Sequence, residues 1–371
     1  MAYKIISADS HMCEPPTLWV DRIEKRFRDQ APRVVKNPGD KKGHFFMCED
    51  LPPLRLSGAF AAGQTFNKDF MEAGPEDALP GGWDPAARLK DMELDGIQAE
   101  VLYTTCAFVL FWLEDAALQH ACFRVYNDWL AEFCSYDSKK FAGLGLISLF
   151  DIEQGCAELE RCKKMGLKGA MIWASPPDDQ PYGSAAYERF WATAQELEMP
   201  LSLHLATGRS KDSQQDESDI AELYVRMIIR PSEMQHSFLR LVFSGVLERF
   251  PQLKFVSAEG DIAWVPHLLE RADKYYRRFK QGYGVKLSLK PSEYFQRQMY
   301  ATFIDDPMGL KTYTLAGGAE NFMWSTDYPH QASTFPHTQE TLERAFQDVP
   351  EADKQKMTRD NASKLYGLPV E

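Results

Sequence analysis

Four apolar runs in this chain each lead to a side chain able to bind a metal, and that repetition constrains the fold more than any other feature. The first run, Tyr3 to Ile6, leads into Asp9 and His11. Met199 to Leu203 ends in His204, and Leu253 to Ala258 ends in Glu259. Asn321 to Thr326 ends in Asp327, followed by Tyr328, Pro329 and His330. Short apolar runs bounded by polar and turn-forming residues read as strands. Side chains two apart on a strand share a face, so Asp9 and His11 aim at one point. A carboxylate and an imidazole aimed together suit a divalent ion such as Zn, Mn or Fe. The Asp-x-His spacing alone arises readily by chance; the later strand ends give it weight. If the strands are parallel and close into a barrel, all of these groups meet at its C-terminal mouth.

The remaining sequence supports that closure. Residues 14–84 are long, irregular and rich in Pro and Gly, and are expected to form a cap inserted after strand one. Helix-like stretches at 84–94, 114–136, 151–165, 187–197, 219–250, 266–279 and 353–365 alternate with apolar runs at 99–103, 141–147, 168–173 and 298–303. Asp151 reads as a helix N-cap and Gly166 as a stop. With the four runs above, this makes eight strands alternating with helices, the pattern of a (β/α)8 TIM barrel. An open doubly wound sheet is the runner-up. It would want a glycine-rich loop after strand one, where this chain has Asp-Ser-His. With no repeat or linker in the 371 residues, a single domain with a 14–84 cap is expected.

Composition excludes some partners. A formal net charge of −12, dispersed along the chain, argues against nucleic acid. No apolar run approaches the roughly 20 residues that span a membrane. Seven cysteines without regular spacing point to reduced thiols in a cytoplasmic protein. Cys13 stands near the proposed metal but reads first as a small buried hydrophobe.

Several motifs, in order along nearly the whole chain, resemble a known family. They are Ser7-Ala8-Asp9-Ser10-His11, Leu167-Lys168-Gly169, Leu201 to His204, Ser244 to Pro251, Trp264-Val265-Pro266, Ser325 to His330 and Asn361 to Tyr366. The chain resembles amidohydrolase-related proteins of the second type. That branch includes the metal-dependent decarboxylases of aminocarboxymuconate semialdehyde and of hydroxybenzoates. The resemblance implies Asp9, His11, His204 and Asp327 as metal ligands. Two positions depart from it. After strand six the decarboxylases usually carry a histidine that binds and protonates substrate, where this chain has Glu259. After Asp-Tyr-Pro they often carry an aromatic residue, where this chain has His330. A glutamate beside a cation is firmly ionised, so Glu259 suits a ligand or general base better than a proton donor.

Asp9, His11, His204, Glu259, Asp327 and His330 together exceed what one ion needs, so one or two ions are both open. The expected function is action on a small organic acid or carbonyl compound, by metal-activated water or by non-oxidative decarboxylation. Asp327, Glu259 and His204 are the catalytic candidates, with Asp327 moving the proton. The alternatives are a dinuclear Fe or Mn oxygenase and a metal-bearing partner subunit of a hetero-oligomer. By analogy with relatives, a homo- or hetero-oligomer is expected.

Other residues read more simply. His44, His120 and His337 are expected in packing or solvated roles, while His236 and His267 have a minor chance of reaching the mouth. Asp306 before Pro307 reads as a helix N-cap. Arg209 reads equally as a partner for a substrate carboxylate or as a surface ion pair. The aromatic residues Trp19, Phe45, Phe46, Phe60, Phe66 and Phe70 of the cap, with Phe108, Phe111 and Trp112, suit either an aromatic substrate or packing beneath the cap.

Overall fold

A computed structural model describes residues 4–64, 70–209 and 220–370. Tyr3, Phe66 and the polar loop 211–218 lie outside the described residues. Eight parallel strands form one sheet in chain order. They are β1 (Ile5–His11), β2 (Ile97–Tyr103), β3 (Phe141–Leu146), β4 (Gly169–Ile172), β5 (Leu201–His204), β6 (Phe255–Ala258), β7 (Met299–Phe303) and β8 (Phe322–Trp324). This is the (β/α)8 barrel that the alternating pattern predicts. Most strand residues are buried on both faces, as expected where helices cover the outside and side chains fill the inside.

The seam between β8 and β1 closes the barrel. The amide of Asp327 donates to the Asp9 carbonyl at 3.0 Å, and the amide of His11 donates to the Tyr328 carbonyl at 2.6 Å. The Thr326 amide donates to Ser7 Oγ at 2.9 Å. Strand β1 therefore runs past its apolar residues to His11, where the apolar run alone ends at Ile6. The polar residues of Asp9-Ser10-His11 stay extended because β8 and β2 satisfy their backbone.

Small residues let the outer helices press close. A side-chain carbon at Gly143 would lie 2.8 Å from Cys134 Sγ on the helix Ala116–Cys134. Helix starts follow local chemistry. Asp84 accepts from the amides of Ala86 and Ala87, and Asp151 accepts from that of Gln154. The cap is more ordered than its composition implies, since Arg33–Lys36, His44–Met47 and Leu54–Arg55 form an antiparallel sheet. Trp19 stacks edge-on against Phe46 at 5.1 Å and donates its indole N–H to Cys122 O at 3.0 Å. Trp19, Phe46 and Phe60 are buried in the core and pack the cap onto the barrel, while Phe45 is buried within the cap under Arg55.

Asp306 does more than begin a helix. It accepts from Gly309 N at 2.7 Å, and also from Ile262 N at 2.8 Å and Ala263 N at 2.7 Å in the loop after β6. Asp306→Ala is expected to lower unfolding free energy by about 3 kcal/mol, combining a lost cap with stranded buried amides. Urea denaturation checks this; a loss below about 0.5 kcal/mol, the range of neutral surface changes, would contradict it.

Candidate metal centre

Six side chains reach the mouth from four strand ends. β1 carries Asp9 and His11, β5 ends on His204, the turn after β6 presents Glu259, and the turn after β8 presents Asp327 and His330. Glu259 and Asp327 sit at φ 55° and 54°, left-handed conformations that residues with a β-carbon rarely adopt. Such backbone costs on the order of 1 kcal/mol and persists where surrounding bonds hold it. Here they do. The Glu259 amide donates to Thr302 Oγ1 at 2.8 Å, and Thr302 in turn donates to Asp9 Oδ2 at 3.1 Å.

Four of the six side chains converge with atoms that nothing in the described residues hydrogen-bonds: Asp9 Oδ1, His11 Nε2, His204 Nε2 and both Asp327 oxygens. All four side chains are buried. His11 Nε2 lies 3.3 Å from Asp9 Oδ1 and 3.2 Å from Asp327 Oδ1, and His204 Nε2 lies 3.6 Å from Asp9 Oδ1. The other ring nitrogen of each histidine is fixed by a carbonyl, which can only accept. His11 Nδ1 donates to Thr104 O at 2.6 Å, and His204 Nδ1 donates to Leu205 O at 2.9 Å. Both Nε2 atoms therefore face inward, the orientation that carbonyl partners impose on metal-binding histidines. Buried, unpaired lone pairs from two imidazoles and two carboxylates fit one divalent cation.

Glu259 and His330 adjoin these four. Glu259 Oε2 lies 3.6 Å from His204 Nε2, and 27 % of its side chain is exposed toward solvent. His330 stacks on His11 with ring centres 3.9 Å apart, its Nδ1 lies 3.0 Å from Asp327 Oδ1, and its Nε2 meets Thr105 Oγ1 at 2.9 Å. Its ligand atom also falls within reach of His11 and Asp327.

The charges shift one another. Burial opposes the charge on His11, but Asp327 and Asp9 outweigh it and hold the imidazole well above its usual value. Burial raises the Asp9 and Asp327 carboxyls, yet their histidine neighbours bring both below the usual range. Glu259 goes the other way, pushed up by burial and by the nearby Asp327 carboxylate. The firmly ionised Glu259 expected from sequence thus belongs to a site holding a cation, which opposes that rise. His330 is lowered by burial and by the charge of His11.

The other candidates take structural places. Arg209 donates to Leu113 O at 3.0 Å and to Glu114 at 2.7 Å beneath Phe150, so it clasps mouth loops together. Cys13 is buried, with its amide bonded to Gly82 O at 2.9 Å, and burial pushes its thiol up. His236, His267 and His337 are exposed, His44 is buried in the cap, and His120 is half-buried. Of the aromatic residues, Phe108 touches the centre, with its ring 4.5 Å from that of His204 and 5.6 Å from that of His11. Sequence reading missed Glu14, whose carboxylate accepts from the amides of Thr105 and Cys106 and so anchors the short helix that carries Phe108. Its place three residues after His11 is the only signal.

The amidohydrolase family profile matches residues 17–368. The chain belongs to that family. It is 27% identical over 295 residues to gamma-resorcylate decarboxylase of Polaromonas sp., covering 76% of this chain and 86% of the relative. It is 24% identical over 289 residues to 2-amino-3-carboxymuconate-6-semialdehyde decarboxylase of Dictyostelium discoideum, covering 77% of each. Among solved structures, 5-carboxyvanillate decarboxylase of Novosphingobium aromaticivorans, complexed with manganese and 4-hydroxy-3-methoxy-5-nitrobenzoic acid, shares the fold. Its TM-score is 0.72 at 20% identity, covering 99% of this chain and 96% of that one. The resemblance read from the motifs therefore holds, and the oxygenase alternative draws no support from these relatives.

Metal binding must displace the proton on His11. In the metal-free protein the raised His11 contributes stability that is fully present below its ordinary value and lost as pH rises through its folded one. The sign for metal is opposite, because affinity grows as that proton leaves. Apparent Mn2+ affinity is expected to rise up to about tenfold per pH unit near neutrality. Calorimetric titration across that range checks this, and an affinity flat with pH would contradict it.

Proposed function

We propose that this chain is a non-oxidative decarboxylase of a hydroxylated aromatic acid, working with one divalent ion. The observation that carries the reading is the convergence of the orphaned atoms of Asp9, His11, His204 and Asp327 beside the ring of Phe108. His11 supports a single ion. It has one free nitrogen, because Nδ1 is bonded to Thr104 O, and that nitrogen is common to both groupings of ligand atoms. The two groupings are thus alternative views of one centre. The mixed imidazole and carboxylate set suits manganese, the ion bound in the 5-carboxyvanillate decarboxylase, or zinc. The seven unpaired cysteines support a reducing, cytoplasmic location.

When bound, the ion supplies positive charge that offsets the chelated acid. The chain's own residues do the rest. Asp9, His11, His204 and Asp327 would hold the ion, and the ring of Phe108 gives an aromatic acid an apolar wall. The bond from ring carbon to carboxylate breaks, carbon dioxide leaves, and the electron pair left on the ring carbon takes up a proton. Asp327 takes that proton from the acid's hydroxyl group and returns it to carbon, while His330, anchored on Thr105, holds Asp327 in place. Glu259 favours a second reading, hydrolysis of a lactone or amide, because a carboxylate at the mouth can take a proton from water.

Manganese-loaded protein offered gamma-resorcylate, 5-carboxyvanillate and related hydroxybenzoates is expected to release carbon dioxide from at least one of them. Asp327→Asn is expected to slow that release about 10²- to 10⁴-fold. Carbon dioxide from none of the acids, together with solvent oxygen entering a lactone product, would replace this reading with the hydrolytic one.

A further inference from the structure

We infer that Arg88 is a positioning residue for the metal centre, acting through the backbone of His11 and the ring of Tyr328. The inference rests on the metal site argued above. Arg88 lies on the helix Pro85–Asp95 and is completely buried. Its Nε donates to Glu100 Oε2 on β2 at 2.6 Å. Its Nη1 donates to the carbonyl of His11 at 2.9 Å and to that of Gly81, in the cap, at 3.2 Å. The guanidinium also lies over the ring of Tyr328, 4.3 Å from its centre, and Tyr328 follows Asp327 directly.

These contacts close a circuit. Arg88 grips the His11 carbonyl, the His11 amide donates to Tyr328 O at 2.6 Å, and the Tyr328 ring returns to Arg88. The Tyr328 hydroxyl donates to Asp91 at 2.5 Å, on the same helix as Arg88. One helix of the outer ring therefore sets the end of β1 that carries His11 and the turn that carries Asp327. Gly81 belongs to the same arrangement. A side-chain carbon there would run into the Asp91 carboxylate and lie 2.6 Å from the Tyr328 hydroxyl, so it would push apart the pair that hydrogen-bonds across it.

Stability alone does not explain such a residue. Removing two charges from water costs as much as their attraction returns, and well-packed apolar replacements are often as stable. What an apolar pair cannot supply is direction. The planar guanidinium offers donors in a fixed fork, here spread over a carboxylate and two carbonyls. Contacts that orient metal ligands commonly change metal affinity 10- to 100-fold when removed.

The test separates orientation from folding. Metal-free protein is titrated with Co2+, followed by its visible absorption, and urea midpoints are measured in parallel. The double variant Arg88→Met with Glu100→Met removes both buried charges. It is expected to unfold near the midpoint of the unaltered protein, bind Co2+ about 10- to 100-fold more weakly and show an altered spectrum. Arg88→Lys keeps the charge opposite Glu100 but cannot span all three acceptors. It is expected to weaken Co2+ binding in the same direction, which keeps the inference testable should the double variant fail to fold. Unchanged affinity and spectrum in Arg88→Lys, or in a folded double variant, would overturn the assignment. Failure of the unaltered protein to bind Co2+ would overturn the metal centre itself, and this inference with it.

Discussion

The seam where β8 meets β1 is the constraint on which the site depends. The backbone bonds that close the barrel are made by the residues that face its centre: Asp327 to Asp9, and His11 to Tyr328. Closing the fold and assembling the ligand set are thus one event. A shift of register along this seam would turn Asp9 and His11 to the wrong face, because side chains alternate along a strand. The left-handed turn at Asp327 and the hydroxyls of Ser7 and Thr326 belong to the same junction.

That junction concentrates buried charge which the protein alone does not balance well. Two carboxylates and two imidazoles meet where water is excluded, with several lone pairs unpaired. In the metal-free chain, a proton on His11 takes up part of the imbalance, drawn there by Asp9 and Asp327. A divalent cation does so more completely, and the carbonyls behind His11 and His204 have already turned both rings to receive it. Glu259 borders this arrangement 3.6 Å from His204 Nε2, and His330 borders it 3.0 Å from Asp327 Oδ1.

Much of this was legible in the sequence because it is local. Asp84, Asp151 and Asp306 announce their helices, and the strand ends announce the mouth. What was not legible depends on packing between distant segments. Glu259 and His330 read as ligands like the other four, and composition cannot reveal that the His330 ring also stacks on that of His11. The contacts of Arg88 and Glu14 depend on burial that only the closed barrel provides. The aromatic cap divided in a way that spacing could not anticipate. Trp19 and Phe46 serve the core, while Phe108 from the loop after β2 reaches the metal histidines.

The central claim is that Asp9, His11, His204 and Asp327 together hold a single divalent ion. Elemental analysis of protein prepared without chelator or added metal, set beside a His204→Ala variant, tests it most directly. About one equivalent of manganese or zinc per chain is expected, falling sharply in the variant. Two equivalents, or a content unmoved by loss of His204, would contradict it.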